Sequence, residues 1–277
     1  MKILILGGRG IAGHMMASFL KKIPEYQVLF TTKDPCDTEG IYLNAANSTM
    51  LEKVMIQVKP DIVINGMGLL FEQAADNTAL AFQLNSLLPH QLAKLAGRQG
   101  GRLIHISTDC LFLGEKGSYK EKDIPDASSY AQSKILGEVV DSHHLTIRTS
   151  IMGPEQKEDG NDLFLRFTRQ DRDIQRYKNV LWKGVTTLEL AKAVNWMIKN
   201  RTTGLYDLET EQSISIYELL MLIREIFEKK DNTVEPSVEL ALDRTLLNAR
   251  NDVIYKAPGH KEMLLELKHW TENNKLK

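Results

Sequence analysis

Cysteine is scarce: Cys36 and Cys110 are the only two in 277 residues. They form no CxxC pair, and one disulfide would be a thin framework for this length, so both read as reduced thiols. A charge bias is also missing. Against 35 Lys and Arg stand 36 Asp and Glu, a net charge of -1, which offers nucleic acid or an anionic membrane no handle. No apolar run approaches the roughly 18 residues of a membrane span. Met1-Lys2-Ile3 runs directly into a strand pattern and leaves no room for a signal peptide. Seven histidines show no HExxH or similar ligand spacing, which predicts no catalytic metal. Internal repeats and low-complexity segments are lacking too. Together these absences predict a soluble, cytoplasmic globular protein, and a 43% hydrophobic content is enough for a full core.

What the chain does have is alternation. Strand patterns fall at "KILIL" (2–6), "QVLFT" (27–31), "DIVIN" (61–65), "RLIHIS" (102–107) and "LTIRT" (145–149), with a weaker one at "GIYLN" (40–44). Helix patterns at Ile11–Lys22, Ser48–Val58, Leu80–Gly97 and Ser129–Asp141 lie between them. Repeated strand–helix–strand units predict an α/β, Rossmann-type doubly wound parallel sheet over residues 1–150. Past "GPEQKEDGN" (153–161) the rhythm changes. Helix patterns at Thr187–Lys199 (with Thr187 as N-cap), Ile216–Lys229, Val238–Ala249 and His260–Trp270 accompany one strand, "GLYDL" (204–208). They predict a smaller, mostly helical substrate lobe over 151–277, with 175–208 partly returning to the first domain.

The first turn, "ILILGGRGIAGH" (3–14), admits two readings. Gly8-x-Gly10-x-x-Gly13 is one, and Gly7-x-x-Gly10-x-x-Gly13 is the other. Either places glycines where backbone must approach a pyrophosphate and where a helix N-terminus offers N–H groups. A tight strand–helix turn needs glycine for steric reasons as well.

Further on, "HISTDCLFLGEKGSYKEKDIPDASSYAQSKILGEV" (105–139) carries the chemistry. Tyr130 and Lys134 are four apart, hence one turn apart on a single helix face. A nearby ammonium favours a phenolate, which predicts a lowered Tyr130 pKa and a phenol able to pass a proton to a carbonyl oxygen. Thr108, at a strand end, would donate a hydrogen bond to the same oxygen.

Ser107-Thr108-Asp109 followed by Tyr130-Ala-Gln-Ser-Lys134 resembles the extended short-chain dehydrogenase/reductase family, which uses the three-residue glycine spacing. The resemblance narrows to dTDP-4-dehydrorhamnose reductases and related sugar-nucleotide reductases. "KPDIVIN" (59–65), "LNSLLPHQLAKLA" (84–96), "STDCLF" (107–112), "IRTS" (147–150) and "GLYDLE" (204–209) support it. It implies Thr108, Tyr130 and Lys134 as catalytic residues. It implies Gly7, Arg9, Gly10, Ile11, Gly13, Thr32, Lys33, Asn44, Asn65, Gly66, Ser107 and Lys134 at the cofactor. Met67, Asp109, Cys110, Ile151 and Arg176 are then expected at the substrate.

Enzymes that prefer NAD place Asp or Glu at the end of the second strand. Here that position reads Thr31-Thr32-Lys33, with Arg9 in the glycine loop, so NADPH is expected. Asp34, one residue later, leaves NADH open. Sugar-nucleotide dehydratases carry Thr-Asp-Glu where this chain has Thr108-Asp109-Cys110, and a thiol cannot replace that glutamate. The resemblance therefore implies reduction of the C4 ketone of a nucleotide-linked 4-keto-6-deoxyhexose, within surface polysaccharide or glycan precursor synthesis. Rhamnose-type reductases follow Arg-Thr-Ser with Trp-Val-Tyr and often have Tyr at the Cys110 position. Ile151-Met152-Gly153 and Cys110 depart from both, so a UDP-linked 4-keto-6-deoxy-N-acetylhexosamine is an equal candidate. Arg166, Arg169, Arg172, Arg176, Lys178 and Lys183 form a basic stretch, read as a diphosphate grip or a solvated helix face. A non-catalytic NADP-binding regulatory subunit or sensor, a sugar-nucleotide epimerase and a homodimer all stay open.

Overall fold

Along β1 (Lys2–Leu6) the run "KILIL" sends Ile3 and Ile5 into one apolar cluster and Leu4 and Leu6 into another. This is the two-sided burial expected of a central parallel strand. The computed structural model describes residues 1–120, 123–154, 163–168, 177–229, 235–247 and 250–274. After β1 come β2 (Gln27–Thr32), β3 (Ile41–Tyr42), β4 (Ile62–Asn65), β5 (Arg102–Ile106), β6 (Leu145–Arg148), β7 (Ile151–Met152), β8 (Tyr177–Trp182), β9 (Val185–Thr186), β10 (Gly204–Asp207), β11 (Ile214–Ser215) and β12 (Ser237–Asp243). Seven of them form one sheet in the order β3-β2-β1-β4-β5-β6-β10, with every pairing parallel. The order reverses between β1 and β4. A crevice at the carboxyl ends of strands at such a reversal is where ligands bind in open α/β sheets.

Helices α1 (Ile11–Leu20) and α2 (Ser48–Val58) follow β1 and β3. Asn47 caps α2 by accepting the Met50 N–H at 3.0 Å. Next are α3 (Phe71–Asp76), α4 (Thr78–Ala81), a π-helical turn (Phe82–Leu87) and α5 (Leu88–Arg98). Then come α6 (Ser129–Leu136), α7 (Leu163–Thr168), α8 (Thr187–Lys199), α9 (Ile216–Ile226) and α10 (His260–Asn274). α8 supplies Leu190, Ala191, Val194 and Met197 to the core on the α1 side of the sheet, and β10 extends the sheet beside β6. A separate cluster joins Phe164 and Phe167 with Leu219, Leu220, Ile223 and Leu264. A three-stranded sheet, β11-β8-β12, stands beside it.

Four expectations need correction. The helix pattern at 238–249 is not met over its described part, 238–247: Ser237–Asp243 is a strand paired with β8. Val238, Leu240 and Leu242 alternate with Glu239, Ala241 and Asp243, and that period of two prevails over the helix-forming composition. The N-cap of α8 is Thr186, whose hydroxyl accepts the Glu189 N–H at 3.1 Å, rather than Thr187. The Leu80–Gly97 pattern is broken by the π turn. The Ser129–Asp141 pattern stops at Leu136, with Gly137 as the C-cap, packed against the Asn85 carbonyl where a Cβ would come within 1.8 Å.

Candidate active site

Gly7 leaves β1 at φ +76°, a conformation that favours glycine. Its carbonyl accepts the Gly10 N–H at 2.9 Å and lies where a Cβ on Gly13 would come within 2.1 Å. Gly10 then caps α1 with no side chain across the helix N-terminus. Gly7, Gly10 and Gly13 thus form one turn, whereas Gly8 packs on the Phe30 ring. Ile11 opens α1 beside this turn. Opposite it, Leu6 pairs with Asn65, and the Gly66 N–H donates to the Leu6 carbonyl at 3.3 Å. The Met67 side chain sits against Gly7. Asn65 is fully buried: its amide meets His105 Nδ1 at 3.1 Å and its oxygen accepts the Met67 N–H at 3.2 Å. It holds the strand end and loop. Asn44 is exposed and accepts the Ala46 N–H at 3.1 Å.

The end of β2, where the resemblance expects the adenosine ribose, departs from expectation. Thr32 is buried at the end of β2 and Lys33 is exposed. Asp34 is also exposed, with its carboxylate accepting the Cys36 N–H at 2.9 Å. Yet a carboxylate does stand there. Arg9 donates from Nε and Nη2 to Asp37 at 2.7 and 2.8 Å, and from Nη2 to Glu39 at 2.8 Å. The guanidinium holds the Asp37 carboxyl well below the usual carboxylate range, and the Thr32 hydroxyl adds to this.

Across the crevice, Ser128 caps α6 by accepting the Ala131 N–H at 3.3 Å, and the helix presents Tyr130 and Lys134, both buried. Lys134 Nζ donates to the Ile106 carbonyl at 3.0 Å, at the carboxyl end of β5. Burial pushes its pKa down to about 8, opposed by the nearby Glu138 carboxylate. Thr108, buried on the turn after β5, accepts the Cys110 N–H at 3.1 Å. Tyr130 differs from the sequence expectation. Burial raises its pKa, Cys110 and Asp109 push the same way, the Thr108 hydroxyl opposes, and Lys134 is not among the causes. Burial likewise raises Asp109 and pushes the Cys110 thiol up, and Cys110 packs beside Tyr130. Ile151 packs partly into the sheet core. Arg176 lies outside the described residues, as do Arg169 and Arg172. Lys183 pairs with Glu209 at 3.0 Å, and Lys178 stands over the Tyr217 ring at 5.5 Å. Among the described residues no group of three His, Cys, Asp or Glu is arranged to hold a metal.

Sequence reasoning missed three features here. Phe71, 53% exposed, lays its ring 4.4 Å from the Tyr130 ring. Asn85, on the π turn, clamps the 66–70 loop by bonding both Leu69 backbone groups, at 2.8 and 3.0 Å, and reaches Ser133 Oγ at 3.0 Å. Such π turns recur at functional sites, although no residue pattern announces this one. Finally, Glu138 joins three strand and helix ends: it accepts Ser107 Oγ at 2.8 Å and both prongs of Arg148 at 2.8 and 2.7 Å. An arginine inside the buried run "LTIRT" was the available signal for a buried partner.

A parallel sheet reversing beside a glycine turn, with a Tyr-x-x-x-Lys pair facing it, defines a dinucleotide-dependent oxidoreductase-type α/β protein of the extended short-chain class. The chain belongs to the family described as RmlD substrate binding domain, which matches residues 1–276. It is 26% identical over 236 residues to a dTDP-4-dehydrorhamnose reductase from Aggregatibacter actinomycetemcomitans, covering 80% of this chain and 78% of that one. Among solved structures, a dTDP-4-dehydrorhamnose reductase from Clostridium acetobutylicum superposes with a TM-score of 0.80 at 23% identity, covering 98% of this chain and 100% of the other. The corresponding Bacillus anthracis enzyme, solved in complex with NADP, gives 0.79 at 21% identity over 98% of each chain.

Proposed function

We propose that this protein uses NADPH to reduce the C4 ketone of a nucleotide-linked 4-keto-6-deoxyhexose, in synthesis of a glycan or polysaccharide precursor. One observation carries the reading: Lys134, anchored on the Ile106 carbonyl, shares a helix face with Tyr130 at the carboxyl edge of the sheet, across from the glycine turn. The turn fits a dinucleotide, because Gly7 and Gly13 leave open backbone where side chains would collide. Bound there, the cofactor supplies hydride to the carbonyl carbon. Thr108 and Tyr130 then serve the carbonyl oxygen, the first by hydrogen bonding and the second by giving up its proton. A phenol raised by burial keeps that proton at neutral pH. Lys134, still ammonium below about pH 8, would hold the cofactor's ribose by hydrogen bonding. Phe71 offers an aromatic face beside Tyr130, in place of the one that Ile151 does not supply.

The dTDP-linked sugar is the first substrate, given the relatives' reductase activity. The small side chains at Cys110 and Ile151 favour a second, the UDP-linked 4-keto-6-deoxy-N-acetylhexosamine. Incubation with NADPH and a panel of both sugars decides between them by kcat/KM. NADPH binding without oxidation by any sugar would replace the enzyme reading with a regulatory one.

A further inference from the structure

In dinucleotide-binding sheets the end of the second strand meets the adenosine ribose: an acidic residue there bonds the 2′-hydroxyl, and a cation there accommodates a 2′-phosphate. This chain places both at one spot. The loop after β2 carries Asp37 back to the strand end, where its carboxylate meets the Thr32 side chain and takes two prongs of Arg9. Phe30, buried beneath, packs its ring 4.8 Å from the Arg9 guanidinium and fixes the plane of the pair. A carboxylate fork and a phosphate edge present the same pair of acceptor oxygens to a guanidinium. Asp37 therefore stands where a phosphate would bind Arg9. Arg9 is 34% exposed and Asp37 11%, so a phosphate reaches the guanidinium from its open side and competes with Asp37 for it.

We propose that Arg9 and Asp37 form an exchangeable cofactor selector, in which a 2′-phosphate displaces Asp37 from Arg9 while an unphosphorylated ribose is met by Asp37 itself. Glu39, well exposed, assists only by holding Arg9 from the outside. The inference rests on the dinucleotide-binding reading above. It makes Asp37 a brake on NADPH and a contact for NADH, a role that neither the glycine spacing nor the Thr31-Thr32-Lys33 stretch indicates.

The test is equilibrium binding of four probes, NADPH, NADH, 2′,5′-ADP and 5′-AMP, to the parent, Asp37→Asn and Asp34→Asn, followed by fluorescence or calorimetry. Asp37→Asn should tighten NADPH and 2′,5′-ADP on the order of 10-fold by removing a negative charge in contact with the phosphate site. It should weaken NADH. Asp34→Asn removes the same charge from the nearby turn and should move every probe by less than about 2-fold, since exposed charges farther off are screened. An unchanged NADPH to NADH ratio in Asp37→Asn, or an equal change in Asp34→Asn, overturns the selector while leaving the dinucleotide site standing. A parent that binds none of the four probes overturns both. Asp37→Ser repeats the comparison should the asparagine variant fold poorly.

Discussion

Two arginine–carboxylate pairs flank the crevice with nearly the same geometry and very different surroundings. Arg9 forks onto Asp37 at 2.7 and 2.8 Å, with side chains 34% and 11% exposed. Arg148 forks onto Glu138 at 2.8 and 2.7 Å, with side chains 2% and 5% exposed. At the end of β2 the Arg9 side chain is 34% exposed, so another anion can reach its guanidinium. Beside α6 both side chains are almost fully buried, and breaking the contact strands a buried charge. The same fork is therefore a selector in one place and a brace in the other. The brace ties Ser107 and the end of β6 to the segment just past α6, close to Lys134.

The sharpest way to break this comparison is to remove one carboxylate from each pair. Glu138→Ala should cost about 3–5 kcal/mol in denaturant unfolding, the usual penalty for orphaning a buried ion-pair partner. Asp37→Asn should lower the unfolding midpoint far less, because Arg9 is partly exposed and keeps Glu39 as a partner. Equal losses would show that exposure does not separate the two pairs.

A second effect reaches the chemistry through Lys134. Its folded pKa, lowered to about 8, means the ammonium is lost as pH rises through that value, and kcat/KM should fall with it. Glu138→Gln removes the charge that supports the ammonium and should move this limb to lower pH. The sign for stability is opposite to that of a paired lysine. A charged Lys134 costs stability below about pH 8, and that cost fades as pH rises toward the ordinary lysine range.

Smaller effects are expected from single contacts at the rim. Phe71→Ala should lower kcat/KM for the sugar nucleotide roughly 10-fold, the order of one lost aromatic contact, while Phe71→Tyr restores it. Lys33→Ala should weaken NADPH by about 2- to 5-fold and leave NADH alone, because Lys33 is exposed and acts through screened charge.

The sequence made the sheet legible where burial on both faces forces unbroken apolar runs. "KILIL" and Ser48–Val58 match β1 and α2 to the residue, and "GLYDL" overlaps β10. The glycine run alone left two spacings open; the resemblance carried by Ser107-Thr108-Asp109, Tyr130 and Lys134 chose the three-residue one, and the structure puts Gly7, Gly10 and Gly13 in one turn. Tyr130 and Lys134 were legible because helical spacing alone places them on one face. Asp37 was not, since it reaches Arg9 across 28 residues of chain with no period to reveal it. Nor was the Tyr130 shift, which depends on how deeply the hydroxyl is buried and on Cys110 and Asp109 beside it. A four-residue spacing says nothing about that. The strand at Ser237–Asp243 was misread because its composition and its period point to different structures.

The proposed reduction needs Tyr130 as its proton donor. Tyr130→Phe removes one hydroxyl and keeps the ring against Phe71. NADPH should bind it as tightly as it binds the parent, while turnover of the 4-keto sugar nucleotide falls by a factor on the order of 10²–10⁴, the usual worth of a positioned general acid. Parent-level turnover in Tyr130→Phe would contradict the catalytic assignment outright.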